Sequence, residues 1–422
     1  MRATARFHTG TLARGAPAQL LVDGVGHAVR RAGERWWAVV PVPPGPAELV
    51  LRTPEGDTLL ESLPAAEPAP PPPLGRPAPP GLIAVCMATF EPDPALFEAQ
   101  VASLRAQTDD RWVCVVSDDA SAPAHVARIR AVLGDDERFR LHPSTERRGF
   151  NANFERALGH APAEAAYVAL CDQDDRWHPA KLARLRAAIE TSGAGLAFCD
   201  SRLADPAGRV LRDTLWAGRA VNHSDLGAML VANSITGAAA LMRREIADLA
   251  LPFPEPPGIR FHDHWIACVA LAAGNVAYVD EPLYDYVQHA GAVFGDVATG
   301  ARRPRVQRPA SARAAYVYGY LARAVYAHAL LGRTADRIAP AKRRALERFL
   351  HADTSLTGAA RLAAGGARAY VTGSSTLGAE LGLAAGLLWR RAAAAGLARD
   401  TSVPPPGAFE QRRLRRWRSR LT

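Results

Sequence analysis

Cysteine is rare in this sequence, and its spacing matches neither a disulfide framework nor a zinc site. The five cysteines are widely separated and form no Cys-x-x-Cys pair: Cys86, Cys114, Cys171, Cys199 and Cys268. Most of them lie in apolar runs that are typical of strands. We therefore expect buried free thiols in a protein of the reducing cytosol, not a secreted protein held together by disulfides.

Long apolar runs are also missing. A transmembrane helix needs about 18 or more consecutive apolar residues, and the longest candidate, Leu377 to Trp389, is shorter and contains Glu380. No apolar segment follows the first residues, Met1 to Arg6, so a signal peptide is not expected. These absences favour a cytoplasmic protein, which can still associate with the inner face of the cell membrane.

The bulk composition is that of a globular protein with an excess of positive charge. The 422 residues are 48% hydrophobic, and the formal net charge is +9. This length allows two or three domains and at least one large core. The positive charge is compatible with nucleic acid, anionic lipid or a phosphorylated substrate as a partner.

Changes in composition divide the chain into four segments. Residues 1–63 contain short alternating runs punctuated by Gly and Pro, which predict a small β-rich module. Residues 64–80 are proline-rich and predict an extended linker, with a ligand for a proline-binding module as the alternative. Residues 81–300 alternate strand and helix patterns, and residues 301–422 predict a helical region that ends in a basic tail.

The alternation in the third segment predicts an α/β fold. The expected strands are 82–89, 112–117, 139–142, 165–170, 196–200 and, at an edge, 275–279. The expected helices between them are 94–107, 123–133, 151–158 and 179–191. This order gives a doubly wound, mainly parallel sheet, and ligands of such sheets bind outside the carboxyl ends of the strands.

A short acidic segment, Cys171-Asp172-Gln173-Asp174-Asp175-Arg176-Trp177, follows one of the buried strands. Its three carboxylates would repel one another unless a cation lay between them. Mg²⁺ or Mn²⁺, shared with phosphate oxygens, meets this need. Asp172 and Asp174 are therefore predicted to hold the metal and its ligand, with Asp175 in a supporting role. The alternative is a solvated acidic turn that caps the next helix.

Polar residues also follow the three preceding strands. Thr89 and Glu91 come after the first strand, Asp118 and Asp119 after the second, and Arg148 after the third. Because these positions meet at one edge of a parallel sheet, they predict a pocket. Asp118 could accept hydrogen bonds from a base or ribose, or it could cap the next helix as Asp often does. The sequence leaves both roles open.

A second polar cluster, Phe261-His262-Asp263-His264-Trp265, begins a predicted helix that enters the core. Asp263 is the candidate general base, which would take a proton from a hydroxyl group. Zinc binding by the His-x-His pattern is unfavourable, because residues i and i+2 of a helix point to different faces. Farther along the chain, His289 could meet a phosphate or the metal, or it could be a structural histidine.

Together these residues resemble the family 2 glycosyltransferases, which have the GT-A fold, and most of all their bacterial rhamnosyltransferase-like branch. The elements that carry the resemblance are Ala88-Thr89-Phe90, Ser117 to Ser121, Asp172 to Asp175, His262 to Trp265 and Gln288-His289. The resemblance extends over about residues 82–295 and covers neither the N-terminal module nor the helical end.

The resemblance implies a metal-dependent, inverting transfer of a hexose from a nucleotide sugar, with dTDP-rhamnose as the suggested donor. The residues implied to bind the nucleotide sugar are Thr89, Glu91, Asp118, Asp119, Arg148, Asp172 and His289. Asp172 and Asp174 would form the D-x-D motif that holds Mg²⁺ or Mn²⁺, and Asp263 would be the base. The acceptor would be a bacterial surface glycan or a lipid-linked precursor. At position 262 many relatives have Glu instead of His.

Two other functions compete with this interpretation. A sugar nucleotidyltransferase needs a Gly-rich, basic loop after the first strand, whereas Thr89 to Asp93 is acidic and has no glycine. A nucleic-acid-binding protein is suggested by the basic tail, which has six arginines between Arg412 and Arg420. By charge alone this tail fits an anionic membrane equally well. The acidic pocket favours the membrane, so nucleic acid is not an expected partner.

Overall fold

A mixed nine-stranded sheet forms the centre of the molecule. The computed structural model describes residues 2–64, 70–216, 221–258, 261–289, 311–372, 376, 378–398 and 400–403. A small β-rich region precedes this sheet in the chain, and a group of helices follows it. The predicted α/β class, with its β-rich beginning and helical end, is confirmed.

The first 63 residues fold into two small antiparallel sheets. The seven strands are β1 (Thr4–Thr11), β2 (Gln19–Val22), β3 (Val25–Ala28), β4 (Arg30–Ala32), β5 (Arg35–Val42), β6 (Ala47–Thr53) and β7 (Gly56–Leu63). Their orders are β1-β5-β4 and β3-β2-β6-β7. Alternating side chains such as Leu20, Trp36 and Leu49 are buried between the two sheets, as the period of two in a strand requires.

The central sheet contains the strands from β8 onward. They are β8 (Ile83–Thr89), β9 (Trp112–Asp118), β10 (Phe139–Pro143), β11 (Tyr167–Cys171), β12 (Arg176–Trp177), β13 (Leu196–Ala204), β14 (Val210–Arg212), β15 (Ala240–Arg243) and β16 (Val276–Val287). The order is β10-β9-β8-β11-β15-β13-β16-β12, with β14 beside β13. The first four strands are parallel, and β15 then pairs antiparallel with both of its neighbours.

Two features of this sheet differ from the sequence-based expectation. The strand expected at the edge over 275–279 runs on to Val287. Val276 to Val279 pair with β13 alone, as expected of an edge, whereas β12 pairs farther along with Tyr284 and Asp285. The strand can continue through Pro282 because Pro282 lies opposite Asp200, where the pairing with β13 shifts register. Proline is tolerated in a strand at such an irregularity. In addition, β15 was not predicted, because its four residues carry no periodic signal of their own.

Seven helices accompany the central sheet within the described residues. They are α1 (Pro94–Arg105), α2 (Pro123–Leu133), α3 (Phe150–Gly159), α4 (Lys181–Ser192), α5 (Leu226–Val231), α6 (Arg244–Ala250) and α7 (His262–Ala273). The side chain of Asp93 caps α1 by accepting hydrogen bonds from Ala95 N and Leu96 N, which satisfies backbone donors at the start of a helix. Between α5 and β15, residues Gly237–Ala239 form a single 3₁₀ turn.

The C-terminal helices join the N-terminal module to the rest of the fold. They are α8 (Ala312–Ala314), a π-helical turn (Ala315–Tyr320), α9 (Leu321–Arg333), α10 (Pro340–His351), α11 (Leu356–Thr372) and α12 (Ala379–Ala394). Trp37 of β5 donates to the Tyr316 hydroxyl over 3.1 Å. Arg333 of α9 donates to the carbonyl of Ala3 over 2.7 Å. In the described part of the chain, none of the helices combines the length and hydropathy that a membrane crossing requires. The basic tail lies outside the described residues.

A pair of glycine substitutions tests how closely these helices pack. A Cβ atom added at Gly386 of α12 would lie 2.5 Å from Tyr316 N, whereas one added at Gly365 of α11 would meet nothing within 4 Å. We expect Gly386→Ala to lower the free energy of unfolding by about 1–3 kcal/mol through overpacking. Gly365→Ala should raise it by about 0.5–1 kcal/mol, because alanine favours the helix. Urea denaturation measures the free energy of unfolding of both variants. If the two substitutions changed it by the same amount, the close contact between Gly386 and Tyr316 would be contradicted.

Candidate active site

Three parallel strands bring the predicted polar residues to one edge of the sheet. Strands β9, β8 and β11 are neighbours. Thr89 of β8 pairs in register with Asp118 of β9, and Met87 pairs with Cys171 of β11. The segment that begins at Asp172 therefore leaves the sheet beside Thr89 and Asp118. This edge lies at the carboxyl ends of the strands, where an α/β sheet binds its ligands.

Asp118 is fully buried, and its carboxylate is held by neighbouring hydroxyl and amide groups. One oxygen accepts from Ser121 Oγ over 2.6 Å and from Thr89 Oγ1 over 3.2 Å, and the other accepts from Ser121 N over 2.9 Å. These bonds fix the loop that follows β9. Because a carboxylate has about four acceptor positions, one remains for a ligand. Of the two roles considered for Asp118, the helix cap is wrong, because α2 has Ala122 at its N-cap and no side chain bonds to its first amides. The contact with a ligand stays a prediction.

Asp119 holds the entry to α3, and it determines how Arg148 is placed. Its two oxygens accept from the backbone amides of Arg148 and Gly149, each over 2.8 Å. The Arg148 guanidinium is exposed and pairs with Glu146 over 3.0 Å. Arg148 therefore contacts the polar cluster through its backbone. Its neighbour Arg147 lies over the ring of Phe90, 3.6 Å from the ring centre.

Glu91 and Gln173 shape the loop that follows β8. Glu91 adopts a positive φ of 40°, its backbone amide donates to Ser121 Oγ over 2.7 Å, and its side chain is exposed. Gln173 accepts from the backbone amide of Phe90 over 2.8 Å and donates to its carbonyl over 3.3 Å. The residue between the two predicted metal ligands therefore ties the acidic segment to the loop beside it.

The acidic segment places two half-buried carboxylates at the sheet edge. Burial raises the pKa of Asp172, and the nearby carboxylates of Asp174 and Asp263 raise it further. Asp174 accepts from the ring of His289 over 2.8 Å, and this bond raises the pKa of the imidazole. Asp175 is fully buried and accepts from the amide of Val287 over 3.2 Å. This contact agrees with the supporting role expected for Asp175.

The carboxylate pair suits a hard divalent cation that is shared with a ligand. Within the described ranges, no group of three or more His, Cys, Asp or Glu side chains is arranged to hold a metal alone. Mg²⁺, however, is commonly held by one or two carboxylates together with substrate phosphates. Asp172 and Asp174 supply oxygen donors of this kind, and their mutual repulsion raises the pKa of Asp172. The donor set therefore fits Mg²⁺ or Mn²⁺ with a diphosphate as its other ligand.

Lys181 is a buried cation beneath the acidic segment that sequence reasoning missed. Its side chain is fully buried, donates to the carbonyl of Ala238 and lies 3.2 Å from the ring centre of Trp177. Burial lowers the pKa of this ammonium to about 8, while Asp175 and Asp172 act in the opposite direction. In the first turn of a predicted helix a lysine is normally taken as exposed, so the sequence carried no signal for this position.

Asp263 lies in the first turn of α7, which packs beside the end of β11: a Cβ atom added at Gly237 would lie 2.7 Å from His262 Nε2 and 3.4 Å from Leu170 Cδ1. Its half-buried carboxylate accepts from His264 N over 2.6 Å. Burial raises the pKa of Asp263 to about 6, although backbone donors that include the Gly237 amide act against this shift. Asp263 itself contributes to the raised pKa of Asp172. A carboxylate with a pKa near 6 is suited to accept a proton at neutral pH.

The two histidines beside Asp263 point in different directions. The ring of His262 stacks on Phe154, with 3.8 Å between ring centres. The ring of His264 bonds to the carbonyl of Met229 over 2.7 Å. The two rings therefore cannot chelate one ion together, as the sequence spacing predicted. All five cysteines are buried and free, which agrees with the expectation for the thiols.

Comparison with known proteins adds a family match and several distant structural likenesses. Residues 84–249 match the family Glycosyl transferase family 2. An uncharacterised protein of Sinorhizobium fredii, y4gI, is 35% identical over 101 residues, which cover 23% of this chain and 11% of that protein. The shared segment is thus about a tenth of this relative's length.

Two solved structures show a limited similarity to this chain. TarS of S. aureus, residues 1–349 in complex with UDP-GlcNAc, is 16% identical, with a TM-score of 0.47, and the match covers 74% of this chain and 88% of TarS. The mannosyltransferase PcManGT of Pyrobaculum calidifontis, in complex with GDP-Man and Mn²⁺, is 19% identical, with a TM-score of 0.42. That match covers 77% of this chain and 91% of PcManGT.

Proposed function

We infer from the match of residues 84–249 to Glycosyl transferase family 2 that this protein transfers a hexose from a nucleotide sugar to a hydroxyl group, with inversion at the anomeric carbon. The observation that carries the proposal is that the start of α7 packs beside the end of β11, which brings Asp263 to the same edge of the sheet as Asp172. The charge of Asp263 also raises the pKa of Asp172. In the proposal, Asp263 is the base and Asp172 belongs to the diphosphate site.

The donor would lie across the carboxyl ends of β9, β8 and β11. Thr89, Asp118 and Asp119 would surround the nucleoside, with Asp118 contacting the base through its remaining acceptor position. Glu91 and Arg148 would border this end of the site, Arg148 through its backbone. Asp172 would meet the ribose and the diphosphate. His289 would face the diphosphate beside Asp174, where a protonated imidazole contributes a positive charge.

Asp172 and Asp174 would hold the divalent cation. When bound, Mg²⁺ or Mn²⁺ neutralises the negative charge that grows on the departing nucleoside diphosphate. The chain's own contribution is to fix the two carboxylates in place. Gln173 ties the segment to the Phe90 backbone, and Lys181 lies buried beneath it, so the segment needs little rearrangement when the donor binds.

Asp263 would act on the acceptor. Its carboxylate takes the proton of the attacking hydroxyl, whose oxygen forms a bond to the anomeric carbon of the donor. The bond between that carbon and the diphosphate oxygen breaks, and its electron pair leaves with the nucleoside diphosphate. Because the attack comes from the face opposite the leaving group, the configuration inverts, and no covalent intermediate on the enzyme is required.

The identities of the donor sugar and of the acceptor rest on the family resemblance. dTDP-rhamnose is our proposed donor. A bacterial surface glycan or its lipid-linked precursor is the proposed acceptor, which places the enzyme in polysaccharide biosynthesis for the cell envelope. The basic tail after residue 403 would keep the cytoplasmic enzyme at the inner face of the cell membrane, where a lipid-linked acceptor is found.

The proposed base predicts a pH dependence of catalysis. A carboxylate accepts a proton only when it is ionised, and burial raises the pKa of Asp263 to about 6. We therefore expect kcat/KM to be constant well above pH 6 and to fall about tenfold for each unit below it. Initial rates between pH 5 and 8 at saturating Mn²⁺ measure this fall in kcat/KM on the acid side. A rate that does not change over this range would contradict the assignment of the base.

A donor screen tests the proposed function directly. We expect one class among UDP-, dTDP- and GDP-sugars to raise the melting temperature in the presence of Mn²⁺, with a stabilisation of about 2.7 kcal/mol when the donor is at 100 times its Kd. Mn²⁺ alone and free hexose are the controls. Release of pyrophosphate from a nucleoside triphosphate and a sugar phosphate would instead identify a nucleotidyltransferase and overturn the proposal.

A further inference from the structure

Exposed apolar side chains are concentrated on the last two helices and directly after them. Ten large apolar residues are exposed in the described part of the chain, and six of them lie between Leu356 and Leu397. Val371 is 83% exposed and Leu388 is 61% exposed. Apolar side chains in such a concentration usually mark a surface that another molecule covers.

These residues form an outward stripe on each helix. On α11 most exposed apolar positions follow helical spacing, and exposed Tyr370 lies outside this row: Leu356, Ala360, Ala364, Ala367 and Val371. On α12 they are Ala385 and Leu388, together with Leu381, which is partly exposed and also packs against Gly366 of α11. The opposite sides of the helices are buried, at positions such as Ala359, Gly366 and Leu387. A Cβ atom at Gly366 would lie 2.8 Å from Leu381 N, so the two helices pack closely as a pair.

The charges around the stripes are almost all positive. Arg361 and Arg368 are exposed on α11, and Arg391 is half-buried on α12. The acidic residue of this pair of helices, Glu380, is half-buried and accepts from Thr376 over 2.9 Å. A helix surface with apolar residues on one side and arginines beside them is typical of helices that lie in the interface of a membrane.

From these observations we infer that the outward surface of α11 and α12, defined by the two stripes with Arg361 and Arg368, docks on an anionic lipid bilayer. Two other occupants are disfavoured by charge. The segment after residue 403 carries six arginines, and a second copy of the chain would bring its own arginines to the same surface. Arg361 and Arg368 would repel the arginines of either occupant, whereas they would attract anionic headgroups. The inference does not depend on glycosyl transfer.

Vesicle flotation with the full chain tests this inference. We expect binding to vesicles of phosphatidylcholine and phosphatidylglycerol and little binding to phosphatidylcholine alone. Val371→Ser combined with Leu388→Ser should weaken binding about tenfold or more, because the apolar anchor is removed. Arg361→Gln combined with Arg368→Gln should weaken binding to the anionic vesicles about tenfold, since each surface arginine contributes to the attraction.

The matched control carries the same kind of change on β3 and β7, the edge strands of the four-stranded sheet of the N-terminal module. Val25 and Leu59 are 64% and 55% exposed on the N-terminal module, and Val25→Ser combined with Leu59→Ser should leave binding unchanged. A chain that ends at Val403 should bind more weakly and still respond to the Val371 and Leu388 changes. Unchanged binding of the Val371→Ser, Leu388→Ser variant would overturn the inference. A dimer in light scattering that this variant converts to a monomer would do so as well.

Discussion

Replacing Asp263 by Asn is expected to lower kcat by a factor of about 10²–10⁴, the usual contribution of a general base. The amide keeps the size of the side chain and can still accept from His264 N, so α7 should begin as before. Only the ability to take a proton is lost. Transfer to a soluble acceptor measures the rate, and thermal shift with the donor and Mn²⁺ should show binding within a few-fold of the wild type.

A matched control for this variant is available at another helix start. Asp225 caps α5 by accepting from Ala228 N over 3.0 Å, and Asn is an equally good capping residue. Asp225→Asn should therefore leave both stability and transfer unchanged. If Asp263→Asn retained full activity, a different group would have to be the base. If both variants lost activity together with stability, the loss would come from the fold.

The second large effect is expected at Asp174. Asp174→Asn removes one of the two charges proposed to hold the cation, and it weakens the bond to His289 that now measures 2.8 Å. We expect transfer to fall by a factor of about 10²–10³, comparable to the loss of one electrostatic group that stabilises a transition state. In contrast to Asp263→Asn, this variant should also need more Mn²⁺ for half-maximal activity.

Metal titration separates these two effects. Activity is measured against Mn²⁺ concentration for the wild type, for Asp174→Asn and for Asp135→Asn, an exposed residue between α2 and β10. Asp135→Asn should follow the wild-type curve. An Asp174→Asn enzyme that keeps the wild-type rate and half-saturating Mn²⁺ concentration would remove Asp174 from the proposed metal site.

The parts of the fold that depend on local pattern could be predicted from the sequence. Strands β8, β9 and β11 have strong apolar runs, and the parallel order that follows from the intervening helices brings Thr89, Asp118 and Asp172 to one edge. The roles of Asp174 and Asp263 were inferred from their local clusters and from the family resemblance, and they stay predictions. Their positions relative to each other depend on the full course of the chain from β11 to α7.

The remaining features depend on contacts between distant parts of the chain. Whether Lys181 is exposed or buried is decided by Trp177 and by the Ala238 carbonyl, which lies 57 residues away in the sequence. The side chain of Arg148 is turned outward because Asp119 holds its backbone amide and Glu146 pairs with its guanidinium. Such contacts produce no periodic pattern in the sequence. The position of β15, antiparallel between β11 and β13, also depends on distant parts of the chain and could not be predicted for the same reason.

The contacts between the first strands and the last helices have a consequence for cleavage of the chain. Ala3 is bonded to Arg333, Trp37 to Tyr316, and Thr9 to the carbonyl of Val403 over 3.4 Å. A protease that cut the proline-rich segment would sever the covalent connection of the first 63 residues to the central sheet and leave these contacts intact. The two fragments should then migrate together on gel filtration and separate only in denaturant.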